Sequence, residues 1–161
     1  MGRTTNNNSE TRLHQNYEVI KLQELKDIQT IMEITADAYG YLPWTAEQFS
    51  NDFLLHNSCY YGLLYQKQLI GYAQFHYFED EYELLNVAIL SSFQGQGLGQ
   101  KLLKISLEQT DASVCFLEVR QSNYVAQNVY QKLGFSQIAA RKNYYQTPVE
   151  DAVIMRWEIE R

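Results

Sequence analysis

Three glycines, Gly95, Gly97 and Gly99, stand within five positions and are followed at once by an apolar-periodic stretch that predicts a helix. A glycine loop at the start of a helix presents free backbone N–H groups and the positive end of the helix dipole to an anion. The N–H groups in question belong to residues 95–100. An ordinary turn between a strand and a helix uses glycine in the same way, so the loop alone leaves both interpretations open.

The spacing of these glycines excludes two nucleotide-binding motifs. A dinucleotide-binding fingerprint has the spacing G-x-G-x-x-G, whereas this loop has G-x-G-x-G. A P-loop ends in G-K-[ST], but Lys101 is preceded by Gln100 and followed by Leu102, which has no hydroxyl to bind magnesium. The surviving functional interpretation is a cradle for another phosphate-bearing cofactor.

Glu118 is a candidate general base. It interrupts the apolar run of residues 114–119 near the end of a predicted strand. A carboxylate in such a place is desolvated, which makes it a better base. The structural alternative is an ion pair with Arg120, which lies two residues on and on the same strand face. Position alone does not choose between the two interpretations.

Tyr130 and Asn123 lie seven residues apart, two helical turns along one face of a predicted helix. Tyr130 shares its stripe with Ala126 and Leu133, and helical spacing alone indicates a core tyrosine. Ala126 is small and leaves a groove between Asn123 and Tyr130. Asn123 is also a good helix cap, and the two roles are compatible.

The elements that position these residues predict one α/β domain over residues 17–161, after a mobile polar tail over residues 1–16. We expect a mixed, mostly antiparallel sheet of about seven strands flanked by about four helices. The first helix should bury a stripe that includes Leu25, and the strand over residues 113–119 should be buried on both faces. The strands are expected at residues 17–22, 59–66, 69–79, 82–90, 113–119, 135–145 and 151–159, and the helices before Gly40, after Thr45, at 98–109 and at 123–133.

Composition and charge narrow the class of protein. The formal net charge of −6 does not favour nucleic-acid binding and would instead attract basic peptides or amines. The three histidines form no metal-binding cluster, and no apolar run is long enough to span a bilayer. Cys59 and Cys115 are expected to be reduced core thiols of a cytoplasmic protein. We therefore predict no metal, no direct nucleic-acid partner, no membrane association, and a monomer or weak dimer.

Four segments carry a resemblance to a known family. Residues 94–99, QGQGLG, fit the [QR]-x-x-G-x-[GA] signature of GNAT-superfamily acetyltransferases and follow an apolar strand, as in that family. Residues 117–135 resemble the family's second cofactor segment. Residues 43–49 and 141–155 resemble the bacterial ribosomal-protein-alanine N-acetyltransferase branch. The resemblance covers about residues 17 to 161.

The resemblance implies the GNAT acyl-CoA N-acyltransferase fold, acetyl-CoA as cosubstrate, and direct transfer to the N-terminal alanine of a small-subunit ribosomal protein. It makes Glu118 the general base, acting through a water, and Tyr130 the proton donor to the leaving thiolate. Cofactor binding falls to backbone groups of Val87, Ala88 and Ile89, to the loop Gln94, Gly95, Gln96, Gly97, Leu98, Gly99 and Gln100, and to Asn123 and Tyr130. Trp44, Tyr144 and Tyr145 are candidates for binding the N-terminal peptide, with loop and hairpin packing as the alternative.

Three other functions remain open at this point: acetylation of a small-molecule amine, acetylation of lysine side chains, and non-catalytic acyl-CoA binding. Glu118 and Tyr130 argue against the last. Two departures from the branch are visible. Gly95 stands where close relatives often carry arginine, and residues 146–149, Gln-Thr-Pro-Val, depart from the usual turn after Tyr145. The first removes a positive charge beside the pyrophosphate, and the second alters the substrate side.

Overall fold

The computed structural model describes residues 16–160, so the predicted tail lies outside the described residues except for Asn16. Seven strands and four α-helices form in this part of the chain. The strands are β1 (Tyr17–Leu22), β2 (Ser58–Tyr65), β3 (Gln68–Phe78), β4 (Glu81–Ile89), β5 (Val114–Arg120), β6 (Ser136–Gln146) and β7 (Val149–Glu158). The helices are α1 (Ile28–Tyr39), α2 (Ala46–Phe53), α3 (Leu98–Gln109) and α4 (Tyr124–Lys132), with 3-10 turns at Leu25–Asp27 and Ser91–Phe93.

The strands form one sheet in the order β1-β2-β3-β4-β5-β7-β6. Only the β4–β5 pair is parallel among the described strands, and every other neighbouring pair is antiparallel. The parallel pair is made by the crossover through α3, as a β-α-β connection requires. The predicted mixed, mostly antiparallel sheet is confirmed, and the strand bounds agree within two residues.

Helices cover the two faces of the sheet unequally. The larger core contains the apolar face of α3, with Leu98, Leu102, Leu103 and Ile105 buried, and part of α4. The smaller core lies under α1 and α2, which pack mainly against β2, β3 and β4. Leu25 was expected on the buried stripe of the first helix, but it lies in the preceding 3-10 turn and is exposed.

Strand β5 is fully buried on one face, but on the other face only Val114 is buried, which corrects the expectation of burial on both. Cys115, Leu117 and Val119 are buried, whereas the alternate residues Glu118 and Arg120 are only partly buried. The reason is that α1 and α2 cover the sheet mainly over β2, β3 and β4. The apolar sequence of β5 does not show that one of its faces stays open.

Strands β4 and β5 pair over only three residues, 81–83 with 114–116, and then diverge. Leu85 is an extra residue in β4 relative to β3, because Phe75 pairs with Leu84 and Gln74 pairs with Asn86. Such a bulge bends and twists the strand that carries it. The bulge lies just beyond the last β4–β5 pair, and from there the two strands enclose a cleft.

Candidate active site

A cavity of about 680 Å³ occupies this cleft. Pockets of this size hold small molecules and cofactors. Its wall brings together β4 beyond the bulge, the end of β5, the glycine loop with the start of α3, and one side of α4. Residues more than 70 positions apart in the chain, such as Tyr39 and Glu118, therefore face one space.

The glycine loop forms one end of the cavity. Gly95 and Gly97 have φ angles of +83° and +74°, in the left-handed region that favours glycine. A Cβ atom at either position would meet nothing within 4 Å, so backbone conformation is what calls for glycine there. In α3 the Lys101 N–H donates to the Gly97 carbonyl at 3.2 Å, and the N–H groups before Lys101 precede the helical ladder. This geometry fits a pyrophosphate.

The other residues of the glycine loop have different roles: some line the cavity, and one makes a hydrogen bond to the backbone of β4. Leu98 is buried, and Gly99 and Gln100 line the cavity with Gly95 and Gly97. The Gln94 side chain turns back, and its Nε2 donates to the Ile89 carbonyl at 2.8 Å. Gln96 is exposed and, among the described residues, does not belong to the cavity wall.

Strand β4 offers its backbone to the cleft beyond the bulge. The carbonyls of Val87 and Ile89 both accept hydrogen bonds from side chains, Tyr39 and Gln94 respectively. Successive residues of a strand direct their backbone groups to alternate edges, so Val87 and Ile89 face the cleft and Ala88 faces β3. This favours Val87 and Ile89 over Ala88 as the backbone groups that meet a ligand.

The carboxylate of Glu118 projects from β5 into the cavity wall. Its Oε1 lies 3.4 Å from Nη1 of Arg141 on β6, and its side chain is 23% exposed. The Tyr144 hydroxyl donates to Glu118, and this hydrogen bond raises the pKa of Tyr144 above its usual value. Glu118 is therefore held between an arginine and a tyrosine, and it is partly solvated rather than desolvated as its apolar run predicts, because this face of β5 is not covered by a helix.

The alternative interpretation of Glu118, an ion pair with Arg120, is wrong. Arg120 instead reaches the β6–β7 turn, where its guanidinium donates to Glu150 at 3.3 Å and to the carbonyls of Thr147 and Pro148 at 3.3 and 3.2 Å. It also lies 4.2 Å from the ring centre of Tyr145. The register of β6 against β7 brings Arg141 opposite Ala152, as β5 brings Arg120 opposite the same residue. Non-local strand pairing thus decides which arginine Glu118 meets.

Tyr130 lines the cavity from α4 and packs at 5.8 Å from Phe135. Burial, with smaller effects of Tyr145 and Cys115, raises the pKa of Tyr130 to about 12. The hydroxyl therefore remains protonated throughout the neutral range. Tyr130 therefore both packs against the core and lines the cavity.

Asn123 caps α4, since its Oδ1 accepts from the Ala126 N–H at 3.1 Å. Asn123, Ala126 and Val129 also line the cavity on the way to Tyr130. The predicted cap is confirmed, and the groove beside Ala126 is part of the cavity.

The predicted peptide-binding residues are found at three different places. Tyr145 lines the cavity, whereas Tyr144 lies beside Glu118 and is not part of the described cavity wall. Trp44 packs against Phe49 with ring centres 5.3 Å apart, in the core under α1 and α2 and outside the described cavity wall. This contact favours loop packing for Trp44, whose part in substrate binding stays a prediction.

The sequence interpretation missed a polar chain that reaches the cavity. The Tyr39 hydroxyl donates to Asn86 Oδ1 and to the Val87 carbonyl, both at 3.3 Å. Asn86 bonds Gln74, and Gln74 bonds Asp52 of α2. The only local signal is that polar residues recur at alternate positions of the otherwise apolar β3, which does not by itself point to a site.

Neither cysteine is placed to act as a nucleophile. Cys59 and Cys115 are buried free thiols, as predicted, and burial raises their pKa values to about 11 and about 12. A buried thiol of this kind is a poor nucleophile. Within residues 16–160 there is no group of three His, Cys, Asp or Glu side chains arranged to hold a metal ion, and no helix long and apolar enough to cross a membrane.

The sequence and the fold of this chain resemble those of known acetyltransferases. The model of the acetyltransferase (GNAT) family matches residues 26–135. The ribosomal protein bS18-alanine N-acetyltransferase of Haemophilus ducreyi is 38% identical over 138 residues, which cover 81% of this chain and 92% of that protein. The Escherichia coli enzyme of the same name is 32% identical over 139 residues, 82% and 91% of the two chains. The crystal structure of the ribosomal-protein-S18-alanine N-acetyltransferase from E. coli superimposes with a TM-score of 0.80 at 29% identity, covering 90% of this chain and 95% of that one. The chain therefore belongs to the GNAT family of acetyltransferases.

Proposed function

We propose that this protein transfers the acetyl group of acetyl-CoA to the N-terminal α-amine of a protein, and that its natural acceptor is the N-terminal alanine of a small-subunit ribosomal protein. The observation that carries the proposal is the shared cavity, in which a glycine cradle, a carboxylate and a protonated phenol lie along one path. The relatives named above are N-acetyltransferases for the alanine of ribosomal protein bS18, and the match with this chain covers more than nine-tenths of the length of each.

Binding of acetyl-CoA falls to three parts of the cavity. N–H groups at the start of α3 and in the loop hold the pyrophosphate, where the helix dipole favours negative charge. The groove beside Ala126 takes the pantetheine arm, and Asn123 lies at its edge. The N–H groups of Val87 and Ile89 point into the cleft, where one of them polarises the thioester carbonyl.

Two side chains move or hold protons. Glu118 accepts the proton of the attacking amine through a water, and Arg141 and Tyr144 hold the carboxylate in place. Tyr130 donates a hydrogen bond to the leaving sulfur. An α-amine with a pKa near 8 is about one-tenth neutral at pH 7, whereas a lysine amine near 10.4 is neutral only about four times in ten thousand. A partly solvated carboxylate such as Glu118 is a sufficient base for the first and a poor one for the second.

The buried thiols support direct transfer. An acyl-enzyme route needs an accessible thiolate, and Cys115 lies in the middle of β5 with a pKa of about 12. The amine therefore attacks the thioester itself, and no covalent enzyme intermediate is formed.

The proposal is tested with acetyl-CoA and peptides that differ only in their first residue, by following release of the CoA thiol and the mass of the product. We expect turnover of the Ala-led peptide with the acetyl group on its α-amine. Glu118→Gln and Tyr130→Phe should each lose most of this turnover. The matched control is Tyr124→Phe, the same change on an exposed residue of the same helix, which should keep the wild-type rate.

Three results would contradict the proposal. Turnover of free polyamines or amino sugars with none of the peptide would make the protein a small-amine acetyltransferase. Acetyl groups found only on internal lysines would make it a lysine acetyltransferase. Tight CoA binding with no turnover across the peptides would make it a binding module.

A further inference from the structure

A hydrogen-bonded chain of four side chains runs from the core under α2 to the cavity. Gln74 Nε2 donates to Asp52 Oδ2 at 2.8 Å, Asn86 Nδ2 donates to Gln74 Oε1 at 2.7 Å, and the Tyr39 hydroxyl donates to Asn86 Oδ1 at 3.3 Å. Asp52 and Gln74 are buried, at 6% and 0% exposure, and Tyr39 lies in the cavity wall. Four different elements, α2, β3, β4 and α1, contribute one residue each.

Which side chain donates and which accepts along this hydrogen-bonded series is decided at its buried end, at Asp52. An ionised carboxylate only accepts hydrogen bonds, so Gln74 must turn its NH₂ group toward Asp52 and its oxygen toward Asn86. Asn86 must then turn its NH₂ group toward Gln74 and its oxygen toward Tyr39. The Tyr39 hydroxyl therefore donates its proton to Asn86 Oδ1 and to the Val87 carbonyl oxygen, each of which lies 3.3 Å from the Tyr39 oxygen.

Asp52 is held in the ionised form that this direction requires. Burial by itself would raise the pKa of Asp52, but hydrogen bonds from Tyr60, His76, Ser58 and Gln74 outweigh burial and keep the pKa below its usual value. The side-chain donors lie at 2.6 Å for Tyr60, 2.5 Å for His76 and 2.9 Å for Ser58. The strands that carry Gln74 and Asn86 pair at these two residues, which keeps the two side-chain amides next to each other.

The consequence appears at the cavity. Because its hydrogen points back into the protein, the Tyr39 oxygen turns lone pairs toward the cleft and can only accept a hydrogen bond there. Tyr39 as a whole is 37% exposed, but desolvation at its hydroxyl, with smaller effects of Tyr72, Tyr130 and Tyr41, raises the pKa of Tyr39 above its usual value. The hydroxyl therefore keeps its proton, and with it the direction of the chain.

We propose that Tyr39 binds the acceptor amine by accepting one of its N–H bonds, and that Asp52, Gln74 and Asn86 are positioning residues that fix Tyr39 as an acceptor. This inference rests on the proposed function, because it needs an amine with N–H bonds beside Val87. An amine that donates to Tyr39 has its nitrogen next to the stretch of β4 whose backbone faces the cleft. Glu118, across the cleft on β5, remains free to take the proton that leaves.

The experiment is steady-state acetylation of an Ala-led peptide by wild type, Tyr39→Phe, Asp52→Asn and the double variant. Tyr39→Phe removes the accepting oxygen and keeps the ring, so kcat/KM for the peptide should fall about tenfold, as for one lost hydrogen bond, with the Kd of acetyl-CoA unchanged. Tyr41→Phe, on an exposed tyrosine close by, is the matched control and should leave kcat/KM unchanged.

Asp52→Asn should lower kcat/KM for the peptide in the same direction and should have little further effect once Tyr39 is phenylalanine. A merely structural role of Asp52 would instead lower the rate by the same factor in both backgrounds, and that result would overturn the positioning role. An unchanged kcat/KM for the peptide in Tyr39→Phe would overturn the amine-binding role of Tyr39 and with it the positioning role of Asp52, while the proposed function would stand. Absence of wild-type turnover of the peptide would overturn the proposed function and this inference with it.

Discussion

The hydroxyl of Tyr130 can be removed without disturbing the fold, which makes Tyr130→Phe a sharp test of the proposed chemistry. The ring packs at 5.8 Å from Phe135 and against the larger core, and phenylalanine keeps both contacts. We expect the free energy of unfolding to change by less than about 1 kcal/mol.

The size of the catalytic effect follows from the environment of the hydroxyl. Burial raises the pKa of Tyr130 to about 12, whereas an ordinary thiol has a pKa of about 8.5. The proton therefore stays closer to Tyr130 than to the leaving sulfur, and what the residue supplies is a strong hydrogen bond to developing negative charge. Such a bond contributes about 1.5–3 kcal/mol, so kcat should fall about 10- to 150-fold.

The assay is thiol release at saturating acetyl-CoA and peptide, with KM for acetyl-CoA measured beside it. The hydrogen bond strengthens as charge develops on sulfur, so kcat should fall while KM stays close to wild type. Tyr124→Phe on the same helix serves as control. A wild-type kcat in Tyr130→Phe would refute the assignment.

The raised pKa of Tyr130 also predicts how kcat depends on pH. Because the folded protein holds this proton to about pH 12, wild-type kcat should show no decline caused by Tyr130 between about pH 8 and pH 10. A decline with an apparent pKa near 10 that disappears in Tyr130→Phe would show that the hydroxyl ionises where the structure says it does not.

Further predictions concern the base, the cradle and the buried carboxylate. In Glu118→Gln only amine that is already neutral can react, so the ratio of its kcat/KM to that of wild type should rise about tenfold from pH 7 to pH 9, and a constant ratio would refute deprotonation by Glu118. Gly97→Ala should lose about 1 kcal/mol of stability through its φ of +74° and raise the Kd of acetyl-CoA, whereas Gly134→Ala, at φ +103° and outside the described cavity wall, should be strained without changing that Kd. Because the pKa of Asp52 is lowered in the folded protein, its ionised form stabilises the fold above about pH 4, and this stabilisation is lost as the pH falls further. Asp52→Asn should therefore lower the free energy of unfolding by about 2 kcal/mol at pH 7, and in urea unfolding that free energy should decrease less steeply with falling pH than in wild type. An equally steep decrease in both proteins would show that Asp52 does not titrate with folding.

Local sequence patterns were enough for most of the elements. The period of the apolar residues predicted α3 and α4, and short polar turns marked where β2, β3 and β4 end and begin. Thr45 and Gln48 have the spacing of a capping box at the start of α2, and both of its hydrogen bonds are formed. Each of these features depends on residues within a few positions of one another, which is why the sequence alone reveals them.

Burial was predicted less well than element type. The apolar period predicts that the buried stripe of the first helix includes Leu25, but this residue lies in the 3-10 turn that precedes α1 and is exposed. The apolar sequence of β5 suggested two covered faces, yet α1 and α2 lie mainly over β2, β3 and β4. Whether a face is covered depends on where distant helices pack, and no pattern inside the strand reports that.

The sequence by itself determined which residues could do chemistry: a loop that needs glycine at positive φ, a carboxylate in an apolar strand, and an asparagine and a tyrosine on one helix face. Tertiary structure alone decided how they meet. The bulge at Leu85 is followed by the divergence of β4 from β5 that makes the cavity, and the pairing of β6 with β7 gives Glu118 the partner Arg141 in place of Arg120. The chain from Asp52 to Tyr39 joins four elements through hydrogen bonds between residues distant in sequence. Such contacts arise from strand register and helix packing, which are properties of the whole sheet.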